Sequence, residues 1–395
     1  MKRRLLSIST LYPAPQRPGF GRFVARQMQA LASRGDWDVT VINPVGLPPV
    51  KLQRYARLAD IPHEEHVDGV AVHHPRFTLI PGLSAPFNPA LIAHAILPLA
   101  RRLHAMQPFD MVDAQFFFPD GPVARRVARA LYLPFAIKAR GSDVHYWGKR
   151  RLALRQMRWA ANEARAVLAV SAALGQDMQV LGLAPRGVEV HYTGLDHERF
   201  KPVARAAARQ LASAIPELGI WSQGRMIACV GALLKIKGQD IAIRALRQLP
   251  EDVRLVLAGE GPELDALRAL TRQCGLEQRV QFLGSVGHEA MPVLLSAADA
   301  MVLPSEREGL ANAWIEALAC GTPVVIPDIG GAREVVSAPA AGRIVERTPE
   351  DIARGVSELL EDPPAQDDVA AYAARFSWSA NAEALNRIYR RAINS

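Results

Sequence analysis

The chain predicts an α/β protein made of two doubly wound units, each a largely parallel sheet covered by helices. Three observations carry this. Apolar runs of strand length alternate with amphipathic stretches of helix length. The alternation fills the first half, breaks near Pro202 and starts again at Met226. With 395 residues, 49% of them hydrophobic, the chain suits two domains of ordinary size.

In the first half, Arg4–Thr10, Trp37–Asn43, Val70–His74, Met111–Ala114, Phe135–Lys138 and Ala166–Val170 read as strands. Helical patterns fall between some of them, at Gly21–Arg34, Asn88–Ala105 and Gly121–Ala130. The second half offers strands at Met226–Val230, Leu255–Ala258, Val280–Phe282, Ala300–Leu303 and Val324–Ile326. Ala204–Leu218 is a polar, alanine-rich helix between the two halves. The last stretch, FSWSANAEALNRIYRRAI, is an amphipathic helix with Phe376, Trp378, Leu385, Ile388 and Tyr389 as its apolar contacts.

Cys229, Cys274 and Cys320 are odd in number, far apart and without metal-ligand spacing, so buried reduced thiols are expected and a metal or disulfide is not. The basic start MKRRLLSISTLYPAP is interrupted by Ser7, Ser9, Thr10 and Pro13, and reads as a first buried strand rather than a leader. Ala90–Ala100 is too short to cross a bilayer. The charge is uneven. Residues 1–202 carry 27 Lys+Arg against 15 Asp+Glu, and the remainder 20 against 24. That basic half could face an anionic membrane surface, or its arginines could simply solvate helix faces. No nucleic-acid motif accompanies the charge, so nucleic acid is not an expected partner.

The densest signal is MVLPSEREGLANAWIEALACGTPVVIPDI, from Met301 to Ile329. It reads as buried strand, acid-bearing loop, helix, tight turn and second buried strand. A loop feeding a helix start offers unpaired N–H groups and a positive dipole end to an anion such as a phosphate. Glu308 and Glu316 flank that position and could accept hydrogen bonds from hydroxyl-rich groups on either side. A phosphate between two polyols describes a nucleotide-sugar. Either glutamate alone would be ordinary helix-start chemistry.

Taken whole, EGLANAWIEALACGTPVVI resembles the E-x7-E signature of family 4 retaining glycosyltransferases with the two-domain GT-B fold, EGLPNxxxEAMAxGxPVVA. Ala311 and Leu318 replace the proline and methionine of that form. The resemblance implies two Rossmann-like domains facing across a cleft: 1–202 for the acceptor, 203–376 for the nucleotide-sugar, and a helix at about 377–395 packing back on the first. It implies that Glu308 binds donor-sugar hydroxyls, that Glu316 binds the ribose, and that amides around Gly309, Leu310 and Ala311 face the diphosphate.

Other segments resemble the same family. HYTGLDHERFKP matches its interdomain stretch through Gly194, Asp196, Phe200 and Pro202. VGALLKIKG, Val230 to Gly238, is similar to the VGRLxxxKG phosphate loop. There Gly231 lets the backbone turn beneath the ligand and Lys237 neutralises the diphosphate. Ala232 stands where many relatives have arginine, with Lys235 the nearest substitute. LVLAGEGPE implies Gly259 and Glu260 near the nucleotide, and Phe282–Gly284 corresponds to the segment that closes over the base. In the first half, Pro18-Gly19-Phe20-Gly21-Arg22-Phe23 looks like the mobile lid. With Val24 and Gln27 it resembles the GxFVxxQ run of exopolysaccharide and teichuronic-acid groups. KARGSDVHYWGKR resembles the HGxD segment, with Arg140 replacing histidine and Asp143 and His145 near the expected acceptor contacts.

The implied activity is retaining, metal-independent transfer from a nucleotide-diphosphate sugar, without cofactor, to a glycan or polyprenyl-diphosphate-linked acceptor. The expected setting is cytoplasmic polysaccharide assembly, peripheral to the inner face of the plasma membrane. A GT-B-fold nucleotide-sugar epimerase and a catalytically silent binding protein are the rival expectations.

Overall fold

In the computed structural model, which describes residues 2–50, 52–216, 218–220 and 224–395, the chain divides into two compact units. The first runs to Gly194 and takes back Trp378–Ser395, and the second is Leu195–Ser377. The join thus falls at Gly194, ahead of the expected Pro202. The reason is packing: Phe200 is 2% exposed and meets His288 edge-on at 5.4 Å inside the second unit. Leu195 N–H also donates to the Phe376 carbonyl at 2.6 Å.

The first unit holds an eight-stranded sheet. Its spatial order is Glu189–Val190, Ala166–Ala169, Phe135–Ala139, Met111–Ala114, Arg3–Ile8, Trp37–Ile42, Val70–His73, Glu64–Val67. All neighbours are parallel except the last pair. The inner strands are mostly apolar because helices cover both faces. Helix Arg22–Ser33 buries Val24, Met28 and Leu31 in the same cluster as Leu385, Ile388 and Tyr389 of the terminal helix Trp378–Asn394. That helix is fixed by the Trp37 indole N–H donating to Asn386 at 2.9 Å and by an edge-on Trp37–Tyr389 contact at 5.8 Å. Gly194 has no room for a side chain: a Cβ there would lie 2.3 Å from the Trp378 ring.

The second unit has a six-stranded parallel sheet, ordered Val280–Gly284, Val253–Ala258, Arg225–Val230, Ala300–Val302, Val324–Pro327, Gly342–Val345. Among the parallel strands both sheets reverse chain order once, between Arg3–Ile8 and Met111–Ala114 in the first and between Arg225–Val230 and Ala300–Val302 in the second. Ligands of open α/β sheets bind at the carboxyl ends of strands at such switch points.

Several strands escaped the sequence reading: Glu64–Val67, Glu189–Val190, Gly342–Val345 and the separate pair Val45–Leu47/Arg76–Thr78. They are short, and the first three lie at sheet edges, where polar sequences such as EEHV are tolerated. Ala90–Ala100 lies within helix Asn88–Met106, which buries Ile92, Ala93, Ile96 and Ala100 on one face. Among the described residues no helix is long and apolar enough to cross a membrane. The cysteines are free; Cys229 and Cys320 are buried and burial pushes each thiol up to about 12, while Cys274 is only half-buried.

Candidate functional site

In the second unit the predicted residues gather at the switch point. Lys237 sits in the turn Lys235–Lys237 after strand Arg225–Val230, and Glu308 in the loop after the neighbouring strand Ala300–Val302. Lys237 Nζ donates to Glu308 Oε1, and Ser305 Oγ donates to the same oxygen at 2.8 Å. The two loops are stitched by Glu306 N–H donating to the Ile236 carbonyl at 2.7 Å. Gly238 has φ 73°, and a Cβ on it would lie 2.2 Å from the Pro304 carbonyl oxygen, so this approach requires glycine.

The start of helix Asn312–Ala319 is open. Ala311 caps it with no side-chain hydrogen bond. Among the described residues, the N–H groups of Gly309, Leu310 and Ala311 have no protein acceptor. Unpaired amides at a helix start favour an anion. Glu316 lies one turn inside, half-buried and without a hydrogen-bond partner among the described residues. Burial pushes its carboxyl up to about 7. An acid in that state is a ready acceptor for hydroxyl donors once ionised.

The remaining donor candidates form the rim of the same sheet edge. Gly231 N–H donates to the Ala258 carbonyl at 2.9 Å, and a Cβ on Gly259 would lie 2.0 Å from the Gly231 carbonyl oxygen. The loops after two adjacent strands therefore touch backbone to backbone. The carbonyl of exposed Ala232 accepts from Gln239 Nε2 at 2.9 Å, Glu260 is exposed, and Lys235 is exposed beside them. Phe282 lies inside strand Val280–Gly284, half-buried, with the Arg268 guanidinium 5.8 Å from its ring. The end of that strand is Gly284, whose carbonyl accepts from Gly259 N–H at 2.7 Å. The backbone at Gly284, rather than the Phe282 ring, stands at the sheet's carboxyl edge.

In the first unit, Gly19 and Phe20 are exposed, with Arg17 stacked on Phe20 at 4.7 Å. Gly21, φ 69°, starts helix Arg22–Ser33, and a Cβ on it would lie 2.5 Å from the Leu11 carbonyl oxygen. Asp143 requires a correction. Its carboxylate is fully buried and accepts the N–H groups of Phe117, Arg140, Gly141 and Val144 at 2.7–3.0 Å. Burial still pushes its pKa up. A carboxylate so occupied holds the Arg140–Val144 turn in shape and is not placed to take a substrate proton. His145 is half-buried at the surface, with Nε2 2.9 Å from Asp177 Oδ2.

Around Arg140 lies a buried network that the sequence reading missed. Arg140 Nε donates to the Gln115 carbonyl at 2.8 Å and Nη2 to Gln115 Oε1 at 2.7 Å, and the guanidinium sits 4.8 Å from the Phe23 ring. Gln27 Nε2 donates to Gln115 Oε1 at 2.8 Å, and Gln27 Oε1 accepts from Lys138 Nζ at 2.8 Å. Lys138 also donates to His191 Nδ1 at 2.6 Å, while His191 Nε2 meets the Asn381 carbonyl at 2.9 Å. The carbonyl can only accept, so the ring carries its proton on Nε2 and is neutral. Burial lowers the pKa of both Lys138 and His191 well below its usual range. Asp113 accepts from Gln115 and Tyr389, and Asp120 accepts from Thr10 Oγ1 at 2.7 Å. Burial pushes Asp113 up to about 6 and Asp120 up to about 8. The signal was available: Gln27 stands on the apolar face of its helix, and Asp113 and Lys138 interrupt strands that are otherwise apolar.

Known proteins resemble the chain along nearly its whole length. The model described as Glycosyltransferase Family 4 matches residues 18–199, and that described as Glycosyl transferases group 1 matches 213–376. A Bacillus subtilis (strain 168) protein, provisionally named teichuronic acid biosynthesis glycosyltransferase TuaC, is 28% identical over 98% of both chains. The D-inositol 3-phosphate glycosyltransferase of Mycobacteroides abscessus is 36% identical over 53% of this chain and 47% of its own length. Among solved structures, sucrose-phosphate synthase from Thermosynechococcus elongatus superposes with TM-score 0.81 at 21% identity over all of both chains. Anabaena HepE in complex with UDP-glucose gives 0.71 at 20% identity, covering 98% of this chain and 99% of its own. Two family models in tandem, a full-length relative and a shared fold make the chain a glycosyltransferase of GT-B fold, with a family 4 domain followed by a group 1 domain.

Proposed function

We propose that this glycosyltransferase moves a sugar from a nucleotide diphosphate with retention of anomeric configuration and without a metal, in the assembly of a surface polysaccharide. The observation that supports the reading best is the group at the second unit's switch point: Lys237, Glu308, Glu316 and the open amides of Gly309–Ala311. Lys237 and the amides supply positive charge to a departing phosphate, in the manner of an oxyanion site. In the unliganded chain Glu308 holds Lys237; a diphosphate competes for that ammonium and frees Glu308 for sugar hydroxyls. Glu316 accepts from the ribose. A phosphate oxygen of the leaving group takes the acceptor's proton as the sugar–phosphate bond breaks.

A thermal-shift panel of UDP, GDP, ADP and their sugars tests donor use, since a ligand at a hundred times its dissociation constant stabilises by about 2.7 kcal/mol. Product anomeric configuration by NMR, with and without EDTA, tests retention and metal independence. Isomerised donor in an incubation without acceptor would instead favour an epimerase.

The acceptor reading assigns the first unit a glycan or polyprenyl-diphosphate-linked substrate and contact with an anionic bilayer. Its support is a surface on which Leu83, Phe87, Leu152 and Trp159 are exposed, with the part-buried Arg126 5.8 Å from the Trp159 ring and the exposed Arg150 stacked on Tyr146. Gln156 Nε2 donates to the Pro86 carbonyl at 2.9 Å, joining the Leu83–Phe87 loop to helix Arg151–Glu163. Exposed apolar groups rimmed by arginine suit a membrane surface. Co-sedimentation with phosphatidylglycerol vesicles at low and high salt tests this, and absence of binding at low salt refutes it.

A further inference from the structure

We propose that Arg140 selects an acceptor bearing an anionic group, a carboxylate or a phosphate, near the hydroxyl that receives the sugar. This rests on the transferase reading above and names the acceptor's chemistry.

Arg140 stands at the carboxyl end of strand Phe135–Ala139, in the edge of the first sheet where ligands of this architecture bind. Its guanidinium is held on one side only. Nε and Nη2 are committed to Gln115, and the flat face rests beside the Phe23 ring at 4.8 Å. Nη1 has no hydrogen-bond or ion-pair partner among the described residues.

The nearby carboxylates do not claim the charge. Asp143 is taken by four backbone amides, Asp120 by Thr10, and Asp113 by Gln115 and Tyr389. No ion pair to Arg140 exists among the described residues. Burial lowers its pKa to about 10, which leaves it protonated at neutral pH. The fold therefore maintains a part-buried, oriented guanidinium that has no ion pair and one amino group without a partner among the described residues. That is the arrangement that recognises carboxylate or phosphate, because the fork is fixed before the ligand arrives. A histidine here would lose its charge above neutral pH, and an arginine does not.

The experiment compares methyl β-D-glucuronide, glucose 6-phosphate and methyl β-D-glucoside as probes by calorimetry with the full chain. Wild type should bind at least one anionic probe ten or more times more tightly than the neutral one. Tighter binding of the phosphate or of the carboxylate identifies which anion is preferred. Arg140→Gln should abolish the preference, and Arg140→Lys should keep part of it. With an accepted anionic sugar, Arg140→Gln should raise KM at least tenfold with a smaller change in kcat. Equal binding of charged and neutral probes, no binding of either anion, or a preference that survives Arg140→Gln overturns the inference. The wild-type comparison decides even if a variant does not fold. Thermal shift with UDP, GDP and ADP separates the two failures. Nucleotide binding without anion preference sinks this inference alone, whereas no nucleotide binding sinks the transferase reading beneath it.

Discussion

The carboxyl ends of the two sheets treat polar groups in opposite ways. In the first unit, Gln27, Asp113, Gln115, Lys138, His191 and Tyr389 are hydrogen-bonded to one another in a buried network, with Asp113 Oδ1 left unpartnered among the described residues. In the second, the Glu316 carboxyl and the amides of Gly309–Ala311 have no protein partner among the described residues, and the half-buried Lys237 and Glu308 hold each other at the same edge. A linked buried network fixes shape, because breaking one member leaves its partners unsatisfied. Open groups destabilise the empty protein and become useful when a ligand completes them. The first unit is therefore a scaffold that holds out Arg140, and the second a receptor waiting for an anion with hydroxyls on both sides.

The largest effect that would break this contrast is on stability. Asp143→Ala strands four buried amides, and we expect a loss of about 3 kcal/mol or more in urea unfolding, with the damage general rather than limited to KM. Next, Lys237→Ala and Glu316→Ala should each reduce transfer at least tenfold in a protein that stays folded by circular dichroism. Full activity in either would remove the second unit's site from the account.

A smaller effect has the opposite sign. Glu316 is raised from 4.5 to about 7 by burial. Its folded form holds the proton more tightly than the unfolded form, so its contribution favours folding at low pH and declines as pH rises from about 4.5 to about 7. Glu316→Gln should therefore stabilise the empty protein at pH 8, on the order of 1 kcal/mol, and do nothing near pH 4. A destabilised Glu316→Gln at pH 8 would show that the carboxylate has a partner in the fold. The smallest change sharpens the donor side: Ala232→Arg should tighten UDP or GDP binding a few-fold by adding a cation to the rim.

What was legible in the sequence follows the same division. The second unit's candidate residues lie in one contiguous segment and one preceding loop, so the resemblance to two short family motifs picks out Lys237, Glu308 and Glu316 together. The first unit's network joins residues from five separate elements, and Tyr389 lies far along the chain from Asp113. No local pattern encodes such a meeting. Asp143 misled for a related reason: its spacing within RGSD fits a substrate contact, while only the coordinates show that its oxygens turn inward to the backbone. The missed strands were short and mostly at sheet edges, where burial does not impose an apolar pattern. The boundary slipped from Gly194 to Pro202 because the turn chemistry of Gly194–Pro202 is local, while the packing of Phe200 on His288 is not.

The most direct test of the central claim is a crystal structure of the protein with the nucleotide-sugar that gives the largest thermal shift. The account predicts the diphosphate within hydrogen-bond reach of the Gly309–Ala311 amides, Lys237 turned from Glu308 toward it, and the ribose on Glu316. A nucleotide bound elsewhere, with the Lys237–Glu308 pair intact and those amides still bare, would contradict it.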